Sequence, residues 1–209
     1  MPRRVEGYEY DGPIGFRRGS TTNTIKSCPP FLDAMMSGYV IRTPGDIQFA
    51  KVDGDVVYQW QFIPATGDPI ESHPKIQVPG VSPGGQFLDV FLKFGNEITI
   101  KTPPGYSTLF THPLNRFDLP FHTLGGVVDT DQYPMPVLFP FLLKRFEGVD
   151  LVIPAGTPIV QVIPFKRESW ESVNLGRKTP QNQMEDTNRL MKYITKSYKR
   201  QYWQKKSYT

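Results

Sequence analysis

The chain has 209 residues, with 21 prolines, 18 glycines and 1 cysteine, and its formal net charge is +4. A single cysteine excludes an internal disulfide and any zinc site that needs two or more thiolates. No apolar run approaches the ~20 residues that cross a bilayer, and the first residues lack the apolar stretch of a signal peptide. We therefore expect a protein that is neither secreted nor transmembrane.

The charge is unevenly distributed along the chain. Residues 166–209 contain eleven Lys or Arg and four Asp or Glu, which gives +7, whereas the rest of the chain carries −3. A basic tail of this kind docks on the acidic surface of a neighbouring subunit, or it contacts nucleic acid. The first partner is the commoner one, and the second stays open.

The first half of the chain predicts an irregular arm followed by short strands. Residues 1–26 show no clean period and predict the arm, and residues 28–38 predict one helical turn closed by Gly38. Asp53 and Gly54 form a strong two-residue hairpin signal between two runs of strand-forming residues. We expect a loop at 64–85, a turn at 95–96, and strands at 39–42, 46–52, 55–62, 87–94 and 97–101.

The second half predicts further short strands and then a helix. The strands are expected at 107–111, 126–129, 137–143 and 159–165. From 183 to 203 proline and glycine are absent, and apolar or aromatic residues recur at helical spacing among lysines and arginines. This pattern predicts an amphipathic helix of about five to six turns, whose apolar stripe has to be buried against the body or a partner subunit.

Strands this short, separated by Pro- and Gly-rich turns, favour an all-β sandwich or barrel over a parallel α/β sheet. We expect three regions: an N-terminal arm with a short helical turn at 1–38, a β-barrel body at 39–168, and a basic C-terminal tail with the amphipathic helix at 169–209. An arm and a helical tail are hard to bury on one small barrel. They therefore predict a homo-oligomer or a larger assembly.

Three motifs of the body occur in the order found in one enzyme superfamily. They are Pro-Pro-Gly at 103–105, Gly-Val-Val-Asp-Thr-Asp at 126–131, and the glycine-led strand at 156–162. In these motifs the region 98–165 resembles the dUTPase and dCTP deaminase superfamily, which implies a β-barrel that forms trimers with active sites between subunits. The resemblance also implies that Asp129 orients a water or contacts a sugar, and that Gln161 contacts a phosphate.

The motifs also depart from the pattern of that superfamily. The Arg-Ser loop of that superfamily has no counterpart at residues 111–113, and Arg116 is the nearest guanidinium. The Gly-rich C-terminal lid is replaced by the basic helix. Because a bound triphosphate needs cationic donors, the first change removes its expected clamp.

Over nearly its full length the chain resembles a second family, uncharacterised proteins of marine tailed phages with distant bacterial relatives. The stretches that carry this resemblance include 28–33, 112–121, 164–170 and 203–208. The resemblance implies a viral origin, with the protein in the host cytoplasm during infection, in the virion, or in both. It implies no established activity.

The densest polar cluster of the body lies within residues 112–131. Two imidazoles and a carboxylate are the donor set of a non-haem iron triad, but no histidine has an acid two residues on, and we predict no metal. In an apolar loop, polar side chains also commonly satisfy buried backbone groups. The candidate ligand-binding residues are His112, Asn115, Arg116, Asp131 and Gln161, and Asp129 is the candidate catalytic residue.

These observations favour a non-enzymatic structural or assembly protein of a phage. We expect a homo-oligomer, with a trimer favoured, or a complex with other virion proteins; nucleic acid stays open as a partner of the basic tail, and no membrane is expected. The alternatives are a nucleotide-handling enzyme of the dUTPase or dCTP deaminase type with an altered pocket, and a nucleotide-binding sponge or regulator without turnover. No cofactor is expected, except Mg²⁺ if the nucleotide-hydrolase alternative holds.

Overall fold

The structure, a computed structural model, describes residues 28–64, 67–73, 84–191 and 197–206. The chain divides into two compact units. The first, the body, is Ser37–Glu171, and it contains the β-strands. The second, here the terminal unit, joins residues 28–36 to the described part of 172–206 and contains the helices. The arm predicted at 1–26 lies outside the described residues.

The body confirms the predicted all-β fold. Its strands pair antiparallel in three sheets, with the orders β1-β11-β6-β8, β10-β2-β3 and β4-β5-β9-β7. The strands are β1 (Tyr39–Arg42), β2 (Ile47–Val52), β3 (Asp55–Trp60), β4 (Ile70–His73), β5 (Phe87–Phe94), β6 (Tyr106–Thr111), β7 (Phe121–Thr123), β8 (Gly126–Val128), β9 (Phe139–Lys144), β10 (Asp150–Ile153) and β11 (Pro158–Lys166).

The hairpin of β2 and β3 is confirmed at the predicted place. Asp53 has φ 51° and Gly54 has φ 89°, the left-handed pair of a type I′ turn, whose twist matches that of the two strands. The register runs without a break from the pair Val52–Asp55 to the pair Ile47–Trp60.

Elsewhere in the body the prediction and the structure differ. No strand forms at 97–101, so that prediction is wrong. The Asn96 side chain bonds to Ile98 instead: its Oδ1 accepts from the Ile98 N–H at 3.1 Å, and its Nδ2 donates to the Ile98 carbonyl at 2.8 Å. Local bonds of this kind compete with a strand ladder. The loop predicted at 64–85 contains β4. The sequence does not predict β7 and β10, which have three and four residues.

The core of the body is built from phenylalanine rings and aliphatic side chains of all three sheets. Phe94 stacks on Phe141 with ring centroids 3.8 Å apart and meets Phe121 edge-on at 5.0 Å. Burying one such side chain stabilises the fold by about 1.5–3 kcal/mol. The core therefore fixes the position of the sheet β1-β11-β6-β8, whose inner strand β6 follows the Pro-Pro-Gly turn and leads into His112.

The terminal unit contains α1 (Pro29–Met36), α2 (Pro180–Met191) and α3 (Ser197–Gln201). The single helix predicted at 183–203 therefore corresponds to two helices, and residues 192–196 lie outside the described part. No helix among the described residues is long and apolar enough to cross a membrane.

Helix α2 begins earlier than the sequence pattern predicts because Thr179 caps it. The Thr179 Oγ1 accepts from the Asn182 N–H at 3.3 Å, and Pro180 occupies the first helical position, where a missing N–H costs nothing. Within the same unit, the Trp203 Nε1 and the Lys206 Nζ both donate to the Asp33 carboxylate, at 2.8 and 2.7 Å. These bonds hold residues 203–206 against α1.

Candidate functional site

The predicted site residues lie at opposite ends of the strand pair β6–β11. In this antiparallel pair Gln161 stands opposite Thr111, the last residue of β6, and Lys166 stands opposite Tyr106, the first. Five residue steps of ~3.3 Å separate the two ends by about 16 Å. Within one chain, the structure therefore does not bring Gln161 together with Asp129, which follows β8 beside the start of β6.

Arg167 organises the end of the pair where β6 begins, which we call the ion-pair end. Its guanidinium donates to both carboxylate oxygens of Asp131, Nη1 to Oδ1 at 2.9 Å and Nη2 to Oδ2 at 2.5 Å. The Nη1 also lies 2.9 Å from the Tyr106 carbonyl oxygen and 3.2 Å from the Asp129 Oδ1. The Asp131 side chain is only 2% exposed, so this two-pronged pairing compensates a carboxylate that has little contact with water.

The same two residues hold the Pro-Pro-Gly turn. The Gly105 N–H donates to the Asp131 Oδ2 at 2.9 Å, and the Gly105 carbonyl accepts from the Arg167 N–H at 2.8 Å. Gly105 has φ 85°, a left-handed conformation that is open to glycine. The first motif of the superfamily resemblance is thus a turn bound by a carboxylate and a backbone N–H.

Asp131 is an anion at neutral pH. Hydrogen bonds from Arg167 and then from the Gly105 N–H lower the pKa of Asp131 to about 2. The pKa of Arg167 is raised, chiefly by the hydrogen bond with Asp131. Asp131 is therefore unsuited to accept or donate a proton near pH 7, and its role in this chain is to hold the turn.

Asp129 lies on the solvent side of the ion-pair end, with a side chain that is 65% exposed. Its Oδ1 accepts from the Ser107 hydroxyl at 2.6 Å. Its carbonyl oxygen accepts from the N–H groups of Gln132 and Tyr133, both at 2.9 Å, so the residue also starts the turn that follows β8. A general base is most effective in a site that closes around substrate and excludes water, and this carboxylate faces solvent.

A chain of threonine hydroxyls connects the segments at this end. The Thr130 Oγ1 lies 2.8 Å from the Oγ1 atoms of Thr102 and Thr108. Thr108 and Thr130 are buried, so these bonds satisfy hydroxyls that water does not reach. Hydrogen bonds between neutral hydroxyl groups thereby link residues 102, 108 and 130.

His112 occupies the other end of β6, which we call the histidine end. Its Nδ1 accepts from the Thr123 N–H at 3.2 Å, so the ring proton is on Nε2, which lies 2.9 Å from the Arg116 carbonyl oxygen. The ring stacks on His122 with centroids 4.5 Å apart. Burial lowers the pKa of His112, and burial followed by the charge of Lys144 lowers the pKa of His122. A neutral imidazole therefore joins the 112–116 loop to β7.

Gln161 is the second link at the histidine end, and it is 1% exposed. Its Oε1 accepts from the Leu114 N–H at 2.9 Å, and its Nε2 donates to the Ser37 carbonyl at 2.7 Å. The Gln161 amide thus joins the 112–116 loop to Ser37, which lies two residues before β1. Gly38 must stay a glycine beside it, because φ is +68° and an added Cβ would collide with the Val162 carbonyl oxygen.

The last two candidates lie in the 112–116 loop itself. Arg116 pairs with Asp118 through two bonds of 2.8 Å, Nε to Oδ1 and Nη2 to Oδ2; the Arg116 side chain is 35% exposed and that of Asp118 is 64% exposed. This hydrogen bond is the main cause that raises the pKa of Arg116 and lowers the pKa of Asp118. Asn115 has φ 63°, a left-handed conformation that asparagine tolerates and that turns the loop back toward β7.

The net charge of the ion-pair end disfavours a phosphate, and its buried carboxylate, Asp131, is already paired with Arg167. Two carboxylates face one guanidinium, so an anionic ligand meets a net negative charge. To bind both carboxylates, a magnesium ion, which the nucleotide-hydrolase alternative requires, would have to displace Arg167 from Asp131. Among the described residues, no three His, Cys, Asp or Glu side chains are grouped so that they could hold a metal.

No protein-family model matches this sequence, and neither a curated protein nor a solved structure is significantly similar to it.

Sequence reasoning missed Arg167, the residue on which the ion-pair end depends. It directly follows β11, and its N–H closes on Gly105, so the end of the last strand meets the Pro-Pro-Gly turn. The available signal was the position of Arg167 in the sequence. It directly follows β11, and β11 pairs antiparallel with β6, the strand that follows the Pro-Pro-Gly turn.

Proposed function

We propose that this chain is a non-enzymatic structural or assembly protein of a tailed phage and acts as a homo-oligomer. One observation carries the proposal: the polar residues of the candidate site bind other groups of the same chain. Asp131 binds Arg167 and Gly105, Gln161 binds Leu114 and Ser37, and His112 binds Thr123 and Arg116. Side chains that hold loops in this way serve the stability of a scaffold.

Exposed apolar side chains of the body support an assembly role. Ile63, Phe117 and Trp170 are 97%, 82% and 88% exposed. On one face of the sheet β1-β11-β6-β8, Ile163, Leu109 and Val127 form a row across three neighbouring strands. Apolar surface that is gathered in this way is typical of protein–protein contacts.

The distribution of charge supports association between copies. The body contains ten Lys or Arg and fourteen Asp or Glu, a net charge of −4, whereas residues 172–209 contain nine and two, a net charge of +7. Oppositely charged surfaces attract each other. Two copies that each carry an acidic body and basic terminal residues are therefore steered toward association. A trimer is the symmetry that the superfamily resemblance favours, and nucleic acid or an acidic virion protein is a further partner for the basic residues.

The second candidate function is a nucleotide-handling enzyme, and one observation favours it. Asp129, Ser107 and Arg167 bring a carboxylate, a hydroxyl and a guanidinium together at a solvent-facing place. Against it stands the excess of negative charge at the ion-pair end, since phosphoryl and acyl chemistry needs donors where negative charge develops. Binding of a nucleotide without turnover is the third alternative.

Mass spectrometry of purified phage particles tests the leading proposal, with the chain expected at a fixed copy number per particle. The purified protein is also incubated with dUTP or dCTP and Mg²⁺, and no product is expected. Turnover that Asp129→Asn abolishes and the matched Asp118→Asn retains would overturn the structural role. A rise in melting temperature with a nucleotide but without product would favour the third alternative, because ligands that bind the native state stabilise it.

A further inference from the structure

Among the described residues, strand β3 is the sheet edge with the least protection. It ends the sheet β10-β2-β3, has six residues, and contains no proline, lysine, arginine or bulge. The other edge strands are protected: β1 has four residues and an irregular register, β7 and β8 have three residues, and β4 and β10 have four. Short or irregular edges are the usual means by which proteins prevent edge-to-edge pairing, and β3 uses neither.

The hairpin geometry shows which backbone groups of β3 point outward. A two-residue turn makes Val52–Asp55 a hydrogen-bonded pair, and such pairs alternate along the ladder, so Val56, Tyr58 and Trp60 direct their N–H and C=O groups away from β2. The Lys51 N–H, opposite Val56, accordingly donates to the far side, to the Val149 carbonyl at 3.0 Å. Among the described residues, nothing hydrogen-bonds to the six outward groups.

The side chains of this strand are suited to a lasting contact. Those of Val56, Tyr58 and Trp60 pack against the core, whereas Val57 is 44% exposed on the opposite face. The edge therefore offers backbone donors and acceptors on a strand anchored to the core, and the chemical partner it fits is another extended strand.

We propose that β3 pairs with β3 of a second copy of this chain, antiparallel about a two-fold axis at Tyr58. In that register Tyr58 pairs with Tyr58 of the second copy and Val56 pairs with Trp60, so all six outward groups of each strand are hydrogen-bonded. The two sheets then form one six-stranded sheet. The inference deepens the proposed function, since it rests on the homo-oligomer and assigns one of its contacts.

Charge and symmetry favour the second copy over an unrelated strand. The edge is complementary to itself, as an isologous two-fold contact requires. The strand has one charged residue, Asp55, and antiparallel pairing about Tyr58 places the two Asp55 residues six steps, about 20 Å, apart, beyond the Debye length of about 8–10 Å.

A cysteine pair tests the register without touching the core. In the proposed register Val57 faces Gln59 of the second copy at a Cα separation of about 4.5 Å, within reach of a disulfide. In a Cys28→Ser background, which removes the exposed native thiol, the variant Val57→Cys/Gln59→Cys is expected to form a covalent dimer on oxidation. Each single variant is the matched control, because like residues are diagonal, about 7–8 Å apart, and cannot be bridged.

Val56→Pro tests the contact itself. Proline at this position removes an outward N–H and leaves the ladder to β2 intact, so light scattering is expected to show half the mass of the wild-type oligomer. An unchanged mass in a variant with wild-type circular dichroism overturns the proposal; if the variant does not fold, the cysteine pair decides. A wild-type chain that is monomeric at its highest soluble concentration, or a double-cysteine variant that links no better than the singles, also overturns it.

The outcomes separate this inference from the proposed function. A chain that is present in particles but does not cross-link overturns only the β3 contact. A chain that cross-links and also turns over nucleotide overturns only the structural role.

Discussion

At the ion-pair end of β6 a charged guanidinium neutralises a buried carboxylate, whereas at the histidine end a neutral imidazole and an amide make the corresponding links. Both ends join a loop to a strand, through Gly105 at one and Leu114 at the other. An ion pair removed from water is expensive to break, because the remaining charge is uncompensated. Loss of a buried neutral link leaves backbone groups unpaired, and Gln161 binds two of them. The cation of the ion pair, Arg167, is 40% exposed, so water reduces the cost of its loss. The two ends should therefore respond differently to substitution and to pH.

The largest effect is expected from Gln161→Leu, at the histidine end. The substitution leaves the Leu114 N–H without its partner and removes the bond to Ser37, so we expect the free energy of unfolding to fall by about 2–4 kcal/mol. Urea denaturation measures the change. The matched control is Gln132→Leu, which replaces an exposed glutamine and should stay within about 0.5 kcal/mol of wild type. Equal losses in both variants would show that Gln161 is not a structural link.

Arg167→Gln is expected to lower the urea midpoint more than the double variant Arg167→Gln/Asp131→Asn does. In the single variant a carboxylate that is 2% exposed loses its cation, and in the double variant it is replaced by a neutral amide. The exposed Arg116–Asp118 pair supplies the comparison, since Arg116→Gln should cost about 0–1 kcal/mol. A double variant less stable than the single would contradict the assignment of Asp131 as a compensated buried charge.

The ion-pair end also predicts a loss of stability in acid. The pKa of Asp131 is 3.8 in the unfolded chain and about 2 in the fold, so its contribution is fully present above about pH 4 and is lost as the pH falls through 2. Asp131→Asn should flatten this part of the curve. Urea midpoints of the two proteins, measured across the acid range, test the prediction, and parallel curves would refute it.

The smallest effect is expected from the histidines, in a separate pH range. The pKa values of His112 and His122 are lowered below 6.5 in the fold, so their contribution is present above pH 6.5 and is lost as the pH falls through their folded values. Protonation of His112 on Nδ1 also removes the bond from Thr123. Between about pH 7.5 and 5.5, His112→Gln should weaken the dependence of the urea midpoint on pH, whereas Asp131→Asn should leave it unchanged.

Local patterns predicted the parts of the fold that depend on neighbours in sequence. Alternation of apolar and polar residues together with Asp53-Gly54 predicted β2 and β3, and a run of apolar residues predicted β5 at Phe87–Phe94. Asn96 removed a predicted strand through a side-chain bond that competes with the ladder. The short strands β7 and β10 pair with β9 and β2, and this pairing with distant segments is not visible in a local window.

The polar cluster at 112–131 is compact in the sequence, and the structure separates its members. His112 and Asp131 are near each other in sequence but lie at opposite ends of β6, because the chain returns through β7 and β8 between them. Arg167 is far from Asp131 in sequence and bonds to it. Register between strands, rather than proximity in the chain, decides which polar groups meet.

The sequence by itself determined the β class, the two-residue turn at Asp53-Gly54, and the separation of an acidic body from a basic tail, since these depend on composition and on local backbone preference. Only the tertiary structure decided that Arg167 binds Asp131, 36 residues away, and that Gln161 binds Leu114, 47 residues away. Such bonds form between strands that the phenylalanine core brings together, and the free energy that aligns them comes from burial across the whole body.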